Sequence, residues 1–143
     1  MMDNLRAEDF VRLTLVTQKI ARCLASDAGL SLHEFHCMMQ LHLEKPCCVR
    51  KLTEILGIGG TSTSKLLRSL DKRGWITRTL DPTDRRMEHV ALTPQGAEVI
   101  QRMLGAADTA ARALIEQLPF DRRQPFAECV HTITQHIETS LQQ

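Results

Sequence analysis

The feature that most constrains this chain is a glycine turn set between two short helical patterns. Gly57-Ile58-Gly59-Gly60 forms the turn. Before it, Val49, Leu52, Ile55 and Leu56 recur at helical spacing. After it, Thr61 opens a helix that runs to Arg73, with Leu66, Leu67 and Leu70 on its inner face. Gly74 stands where a helix ends on a left-handed residue. The period then changes. Trp75–Leu80 and Glu88–Leu92 are rich in β-formers, and Asp81-Pro82-Thr83-Asp84 between them is turn chemistry. Two short helices on a glycine turn make a helix-turn-helix candidate. A β-hairpin directly behind it predicts a mainly α fold with a small β-hairpin wing.

Helices flank this segment on both sides. From Ala7 to Ser26, Phe10, Leu13, Ile20 and Leu24 predict an amphipathic helix, stopped at Gly29. Ser31 and Glu34 have the spacing of a capping box for the next helix, with Leu32, Phe35, Met39 and Leu43 as its apolar face. Pro46 ends that helix and starts a third, which puts Cys47 and Cys48 at a helix N-terminus. Thr93-Pro94 reads as an N-cap followed by proline at the first helical position. In the long helix behind it, Ile100, Leu104, Ala107, Ala111, Leu114 and Leu118 alternate by four and three, the spacing of a coiled-coil seam. Pro119 breaks it. The last helix, from Asp121, aligns Phe126, Cys129 or Val130, Ile133, Ile137 and Leu141.

This is more apolar surface than a small winged domain covers alone. The expected organisation is one domain: residues 31–93 as the winged helix-turn-helix region, and residues 1–30 and 94–143 as a helical dimerisation layer. A length of 143 residues supports such a core without disulfide or metal staples.

Composition narrows the function. With 43% apolar and 24% charged residues, the chain is globular and not disordered. Its apolar runs are too short for a bilayer, and MMDNLRAEDF has no apolar signal region, so the expected compartment is the cytoplasm, with no membrane partner. The net charge of +1 conceals an asymmetry. Between Arg50 and Arg86, nine basic residues face four acidic ones; the remainder carries nine basic and 13 acidic residues. The basic surplus coincides with the helix-turn-helix and hairpin, as a DNA-contacting face requires. With one Trp, four Phe and no Tyr, a stacking platform for single strands is not expected. Five cysteines are an odd count without C-x-x-C or zinc-site spacing, and no nucleophile–base–orienter set is present. No enzyme, cofactor or metal is therefore expected.

The run Asp84-Arg85-Arg86-Met87-Glu88-His89-Val90-Ala91-Leu92-Thr93-Pro94-Gln95-Gly96 resembles the wing signature of the multiple-antibiotic-resistance regulators, the MarR family. That signature is D-x-R, an apolar strand residue, then L-T-x-x-G. Leu70-Asp71-Lys72-Arg73-Gly74-Trp75-Ile76 is similar to the family's junction between recognition helix and wing. The resemblance implies a homodimeric regulator of transcription, most often a repressor. It implies binding to a pseudo-palindromic operator in double-stranded DNA and release by a small-molecule effector or by thiol oxidation. A two-fold dimer presents its two recognition helices roughly 34 Å apart.

The candidate DNA-binding residues follow. Thr61, Ser62 and Thr63 lie at the recognition helix N-terminus, where hydroxyls and N–H groups meet phosphates or base edges. Lys65, Arg68 and Lys72 follow along it, and Arg68 suits a guanine edge. Arg85 and Arg86 lie at the hairpin tip. The resemblance implies that a wing arginine, Arg86 by the signature, enters the minor groove, and that Asp84 braces the wing without touching DNA. The plainer alternative is that the hydroxyls only cap the helix and the charges only solvate it.

Candidates for sensing stay open. Cys47 and Cys48, beside Lys45, Arg50 and Lys51, are thiol-switch candidates, because a helix N-terminus and cations lower a thiol's pKa. The alternative is that one of them simply packs in the core. The family's peroxide-sensing branch has its cysteine near the position of Ala7 with tyrosines around it, so that mechanism does not carry over; Cys23 and Cys129 read as hydrophobes. His33 and Cys37 share a face, and His36 stands where the zinc-sensing branch has a histidine. That branch also has a histidine pair in its fifth helix, and residues 94–118 here contain none. Phe35, His36 and Met39 are the ligand-pocket candidates, in a cleft suited to an anionic aromatic molecule. A regulator switched through cysteines or a metal, and a winged-helix protein-interaction module, remain the alternatives.

Overall fold

The computed structural model describes residues 6–141, without the side chains of residues 138, 140 and 141. The expected place of Leu141 on the last apolar face, and the ends of the 1–30 and 94–143 segments, thus lie outside the described residues. The element order is α1 (Ala7–Asp27), α2 (Leu32–Leu43), β1 (Cys47–Cys48), α3 (Val49–Leu56), α4 (Gly60–Lys72), β2 (Ile76–Leu80), β3 (Glu88–Leu92), α5 (Pro94–Ile115) and α6 (Phe120–Leu141). These form two compact units, one ending at Leu104 and the other beginning at Gly105.

In the first unit, Met38 and Leu41 of α2, Leu52 of α3, Leu67 and Leu70 of α4, Ile76 of β2, Val90 of β3 and Ile100 of α5 are fully buried together. The capping box at α2 is formed. Glu34 N–H donates to Ser31 Oγ at 3.2 Å, and Ser31 N–H to Glu34 Oε2 at 2.8 Å. Its apolar face is not the expected one. Cys37, Met38 and Leu41 are buried, Phe35 and Met39 pack at the edge of the core, and Leu43 is 63% exposed. The buried stripe is rotated because it includes the carboxylate of Glu34, which a hydrophobic template rejects. Glu34 is accepted there because its Oε1 takes a hydrogen bond from Ser69 Oγ of α4 at 2.8 Å.

The sheet has three antiparallel strands in the order β1-β3-β2, not two. Ile76 pairs with Leu92 and Leu80 with Glu88 across the hairpin, while Cys47 and Cys48 pair with Val90 and His89. The two cysteines therefore form an extended strand ahead of α3, where a start of the helix was expected. A two-residue strand carries no periodicity, so the sequence pattern could not reveal it.

Thr93 locks α5 to the hairpin. Its hydroxyl donates to Gly74 O at 2.6 Å and accepts from Gly96 N–H at 3.0 Å, and its N–H donates to Trp75 O at 3.0 Å. Gly96 is required by close approach: a Cβ there would stand 2.0 Å from Trp75 O. Gly74 itself has φ +72°, the left-handed residue that ends α4.

In the second unit, α5 stops at Ile115, short of the expected Leu118. Arg123 of α6 donates to the free carbonyls of Leu118 and Glu116 at 3.1 and 3.0 Å. Phe126, Val130, Ile133 and Ile137 form an exposed apolar face on α6. Phe10, Val11, Leu13, Leu15 and Val16 of α1 are likewise exposed. Among the described residues, no helix is long and apolar enough to cross a membrane.

Candidate nucleic-acid interface

Helix α4 divides sharply into two faces. Thr63, Leu66, Leu67 and Leu70 are buried at helical spacing. Thr61, Lys65, Arg68 and Lys72 recur at the same spacing on the opposite side and are exposed, as is Ser62. Thr63 corrects the expectation of a DNA contact there. It is fully buried, and its hydroxyl donates to Gly59 O at 3.2 Å. Its polarity closes the helix start internally, and its side chain does not reach the surface.

The structure also sorts the basic surplus. Arg78 forms a bidentate pair with Glu88 across the hairpin, at 2.7 and 2.8 Å. Arg73 donates to Gly29 O at 2.9 Å and lies 4.9 Å from the Trp75 ring centroid. Lys51 pairs with Glu44, and Arg50 with Glu54. Arg78 is committed to its part-buried pair, while the other three make exposed contacts with groups of the chain itself. Among the described residues, Lys65, Arg68, Lys72, Arg85 and Arg86 have no side-chain partner of opposite charge. Three lie along α4 and two at the hairpin tip. They are all exposed. A row of unpaired cations on a helix, with a second pair on a projecting turn, is an anion-binding arrangement.

At the hairpin tip, Asp84 Oδ1 accepts from Arg86 N–H at 2.9 Å and Asp84 O accepts from Met87 N–H at 2.9 Å. Asp84 thus bonds the backbone of Arg86, not its guanidinium. Asp81, which sequence reasoning treated only as turn chemistry, makes more contacts. Its Oδ1 accepts from Thr83 N–H, Thr83 Oγ1 and Asp84 N–H at 2.8, 2.6 and 3.0 Å, and its Oδ2 lies 2.9 Å from His89 Nε2. The hydrogen bonds from the Thr83 hydroxyl and from His89 hold its carboxyl well below the usual carboxylate range. The D-P-T-D spacing was the signal that marks an Asx turn.

The sensing candidates fare differently. Cys47 is buried, and burial pushes its thiol up, with Cys48 adding to the effect and Lys51 opposing it. The expected lowering at Cys47 is therefore corrected: desolvation outweighs the nearby cation. Cys37 is fully buried, and burial, then Cys47 and Glu34, push its thiol up to about 12. His33 is exposed while Cys37 is in the core, so they do not converge as a chelate. Among the described residues, no group of three or more His, Cys, Asp or Glu side chains could hold a metal ion. Phe35 and His36 are neighbours, with ring centroids 5.9 Å apart. His36 is at the surface, and partial desolvation followed by the charge of His33 holds its imidazole below its ordinary value.

Residues 30–87, which hold the helix-turn-helix and most of the hairpin, match the model of the MarR family. Residues 30–87 are thus similar to the MarR family's DNA-binding segment. It is 22% identical over 115 residues to the uncharacterized HTH-type transcriptional regulator YwaE of Bacillus subtilis, covering 80% of this chain and 67% of that protein. It is 37% identical over 54 residues to the transcriptional repressor MprA of Escherichia coli K12, covering 38% of this chain and 31% of that protein. The fold matches the transcriptional regulator Tm0710 of Thermotoga maritima with a TM-score of 0.72, at 22% identity, over 95% of this chain and 96% of that one. It also matches a mutant MepR of S. aureus bound to an oligodeoxyribonucleotide, with a TM-score of 0.65, at 18% identity, over 94% and 99% of the two chains. The matched family and the named relatives are transcriptional regulators, and the chain's fold is of the winged-helix type.

Proposed function

We propose that this chain is a regulator of the MarR family, a homodimer that binds a pseudo-palindromic operator in double-stranded DNA, represses transcription there, and is released by a small ligand. The observation that carries the DNA reading is the grouping of five exposed cations without acidic partners on two neighbouring elements, Lys65, Arg68 and Lys72 on α4 and Arg85 and Arg86 at the wing tip. Thr61 and Ser62 join them at the N-terminus of α4, where free N–H groups favour phosphate. Arg86 enters the minor groove, and Asp84 shapes the loop that presents it. The oligonucleotide held by the mutant MepR supports this use of the fold.

The exposed apolar faces of α1 and α6 support dimerisation through residues 1–30 and 94–143, with residues 31–93 reading the operator. The sign follows the relative MprA, named a repressor. Phe35, His36 and Met39 line the effector site, with the half-buried Phe35 and Met39 as its apolar floor.

The test is fluorescence anisotropy with a duplex that the purified protein selects from a random-sequence pool. Sedimentation fixes the stoichiometry. The expected result is one dimer per duplex, with affinity falling steeply as salt rises. Arg86→Ala is expected to weaken binding by about 5- to 150-fold while leaving the dimer intact. Failure to enrich any duplex, or unchanged affinity for Arg86→Ala, refutes the respective part of this reading.

A further inference from the structure

We propose that Asp81 is the residue that positions the wing for DNA, acting through the turn that carries Arg85 and Arg86. This rests on the proposed DNA contact of the wing. Asp81 is an acid set in the most basic segment of the chain, where repulsion from phosphate disfavours it. Its bonds supply the reason for its presence. It is the first residue after β2, and its N–H donates to Met87 O at 2.8 Å, which closes the loop at its base. Its carboxylate then takes both N–H groups that lead into the tip, those of Thr83 and Asp84, together with the Thr83 hydroxyl. The other carboxylate oxygen reaches the opposite strand at His89.

One side chain thus ties together β2, the tip and β3. The tie continues outward. Asp84, held by Asp81 through its N–H, in turn holds the N–H groups of Arg86 and Met87. The signature aspartate therefore acts as the second link of a relay whose first link is Asp81. Asp81 is the less exposed end, with its side chain 21% accessible, and Arg86 is the exposed end that meets DNA. Without the Asp81 carboxylate, three donors of the tip turn to water and the two arginines lose their common orientation. The entropy of fixing them must then be met at binding.

The test compares Asp81→Ala, Asp81→Asn, the Arg85→Ala/Arg86→Ala pair, and the pair combined with Asp81→Ala. All are measured against the duplex selected by the wild-type protein. The Asn oxygen accepts the same two N–H groups, so Asp81→Asn is the rescue variant. Asp81→Ala is expected to bind about tenfold more weakly and Asp81→Asn within about threefold of wild type. In the background lacking both arginines, Asp81→Ala is expected to change affinity by less than about twofold, because it acts through them. Hydrogen exchange at the amides of Thr83, Asp84 and Arg86 is expected to rise in Asp81→Ala only, with the α4 amides unchanged.

Wild-type affinity for Asp81→Ala, or an equal loss with and without the arginines, overturns the proposal and leaves the wing contact standing. If the double arginine variant binds as wild type does, the wing reading itself fails and the positioning role falls with it.

Discussion

Replacing Gly96 by alanine sets two effects of opposite sign against each other. Gly96 lies in the first turn of α5, where helix propensity alone favours alanine by about 1 kcal/mol. The added Cβ would stand 2.0 Å from Trp75 O and 2.9 Å from Trp75 C, and both are backbone atoms that no rotamer change moves aside. Ordinary contact needs about 3.4 Å. The start of α5 must therefore retreat by more than an ångström, and the bonds from Thr93 to Gly74 O and Trp75 O, at 2.6 and 3.0 Å, stretch with it. Overpacking costs about 1–3 kcal/mol and each lost hydrogen bond about 1 kcal/mol. After the propensity gain, the expected net loss is about 2–4 kcal/mol. Urea denaturation at one fixed protein concentration measures it as a lower midpoint with an unchanged slope. A Gly96→Ala protein as stable as wild type, or more stable, refutes the close-approach argument. Gly105→Ala is the control: its Cβ meets nothing within 4 Å, and a gain of up to about 1 kcal/mol is expected. A loss at Gly105 would mean that a second chain packs there.

Other expectations follow from the same geometry. Glu34→Gln should lose about 1–3 kcal/mol at neutral pH, since a single amide oxygen replaces two charged acceptors for Ser31 and Ser69. Burial pushes the Glu34 carboxyl up, but the Ser31 and Ser69 bonds and the charge of Arg73 outweigh it and hold the pKa below its ordinary value. Its charge therefore stabilises the fold above about pH 4.3, and that contribution is lost as pH falls through the lower folded pKa. The gap between wild type and Glu34→Gln should narrow in acid; a constant gap from pH 7 to 3 would contradict this. Thr63→Val should leave DNA affinity unchanged and cost about 1 kcal/mol of stability, because its hydroxyl serves Gly59 O. A loss of affinity matching that of Thr61→Ala or Ser62→Ala would restore Thr63 to the interface. With a thiol pKa of about 12, Cys37 is roughly one part in ten thousand thiolate at pH 8, so iodoacetamide should label it only after unfolding. Labelling of Cys37 in the native protein, read by peptide mass mapping, would show that α2 opens.

Much of the fold is legible because its signals are local. The Ser31–Glu34 box, Gly74 as a left-handed stop, the hairpin strands and the Thr93 cap each depend on a few consecutive residues. The stripe of Lys65, Arg68 and Lys72 is equally visible, since helical spacing alone puts these residues on one side of α4. Thr63 shows the limit. It stands among hydroxyl residues that look alike in sequence, and only the position of the core decides which of them turns inward. Cys47 fails for a related reason. Its cationic neighbours are written beside it, whereas the burial that outweighs them comes from β3, more than forty residues away.

The sequence by itself determined the order of elements, the helix-turn-helix with its hairpin, and the concentration of positive charge in that segment. Each of these is a property of neighbours along the chain. Only the tertiary structure decided which charges remain available. Arg78 is spent on Glu88, ten residues on, and Arg73 is turned toward Gly29 and acts on the charge of Glu34, while Arg85 and Arg86 meet no acidic side chain among the described residues. A net charge counts residues, but an interface is built from charges whose fields are not already cancelled, and that cancellation depends on distances that exist only after folding.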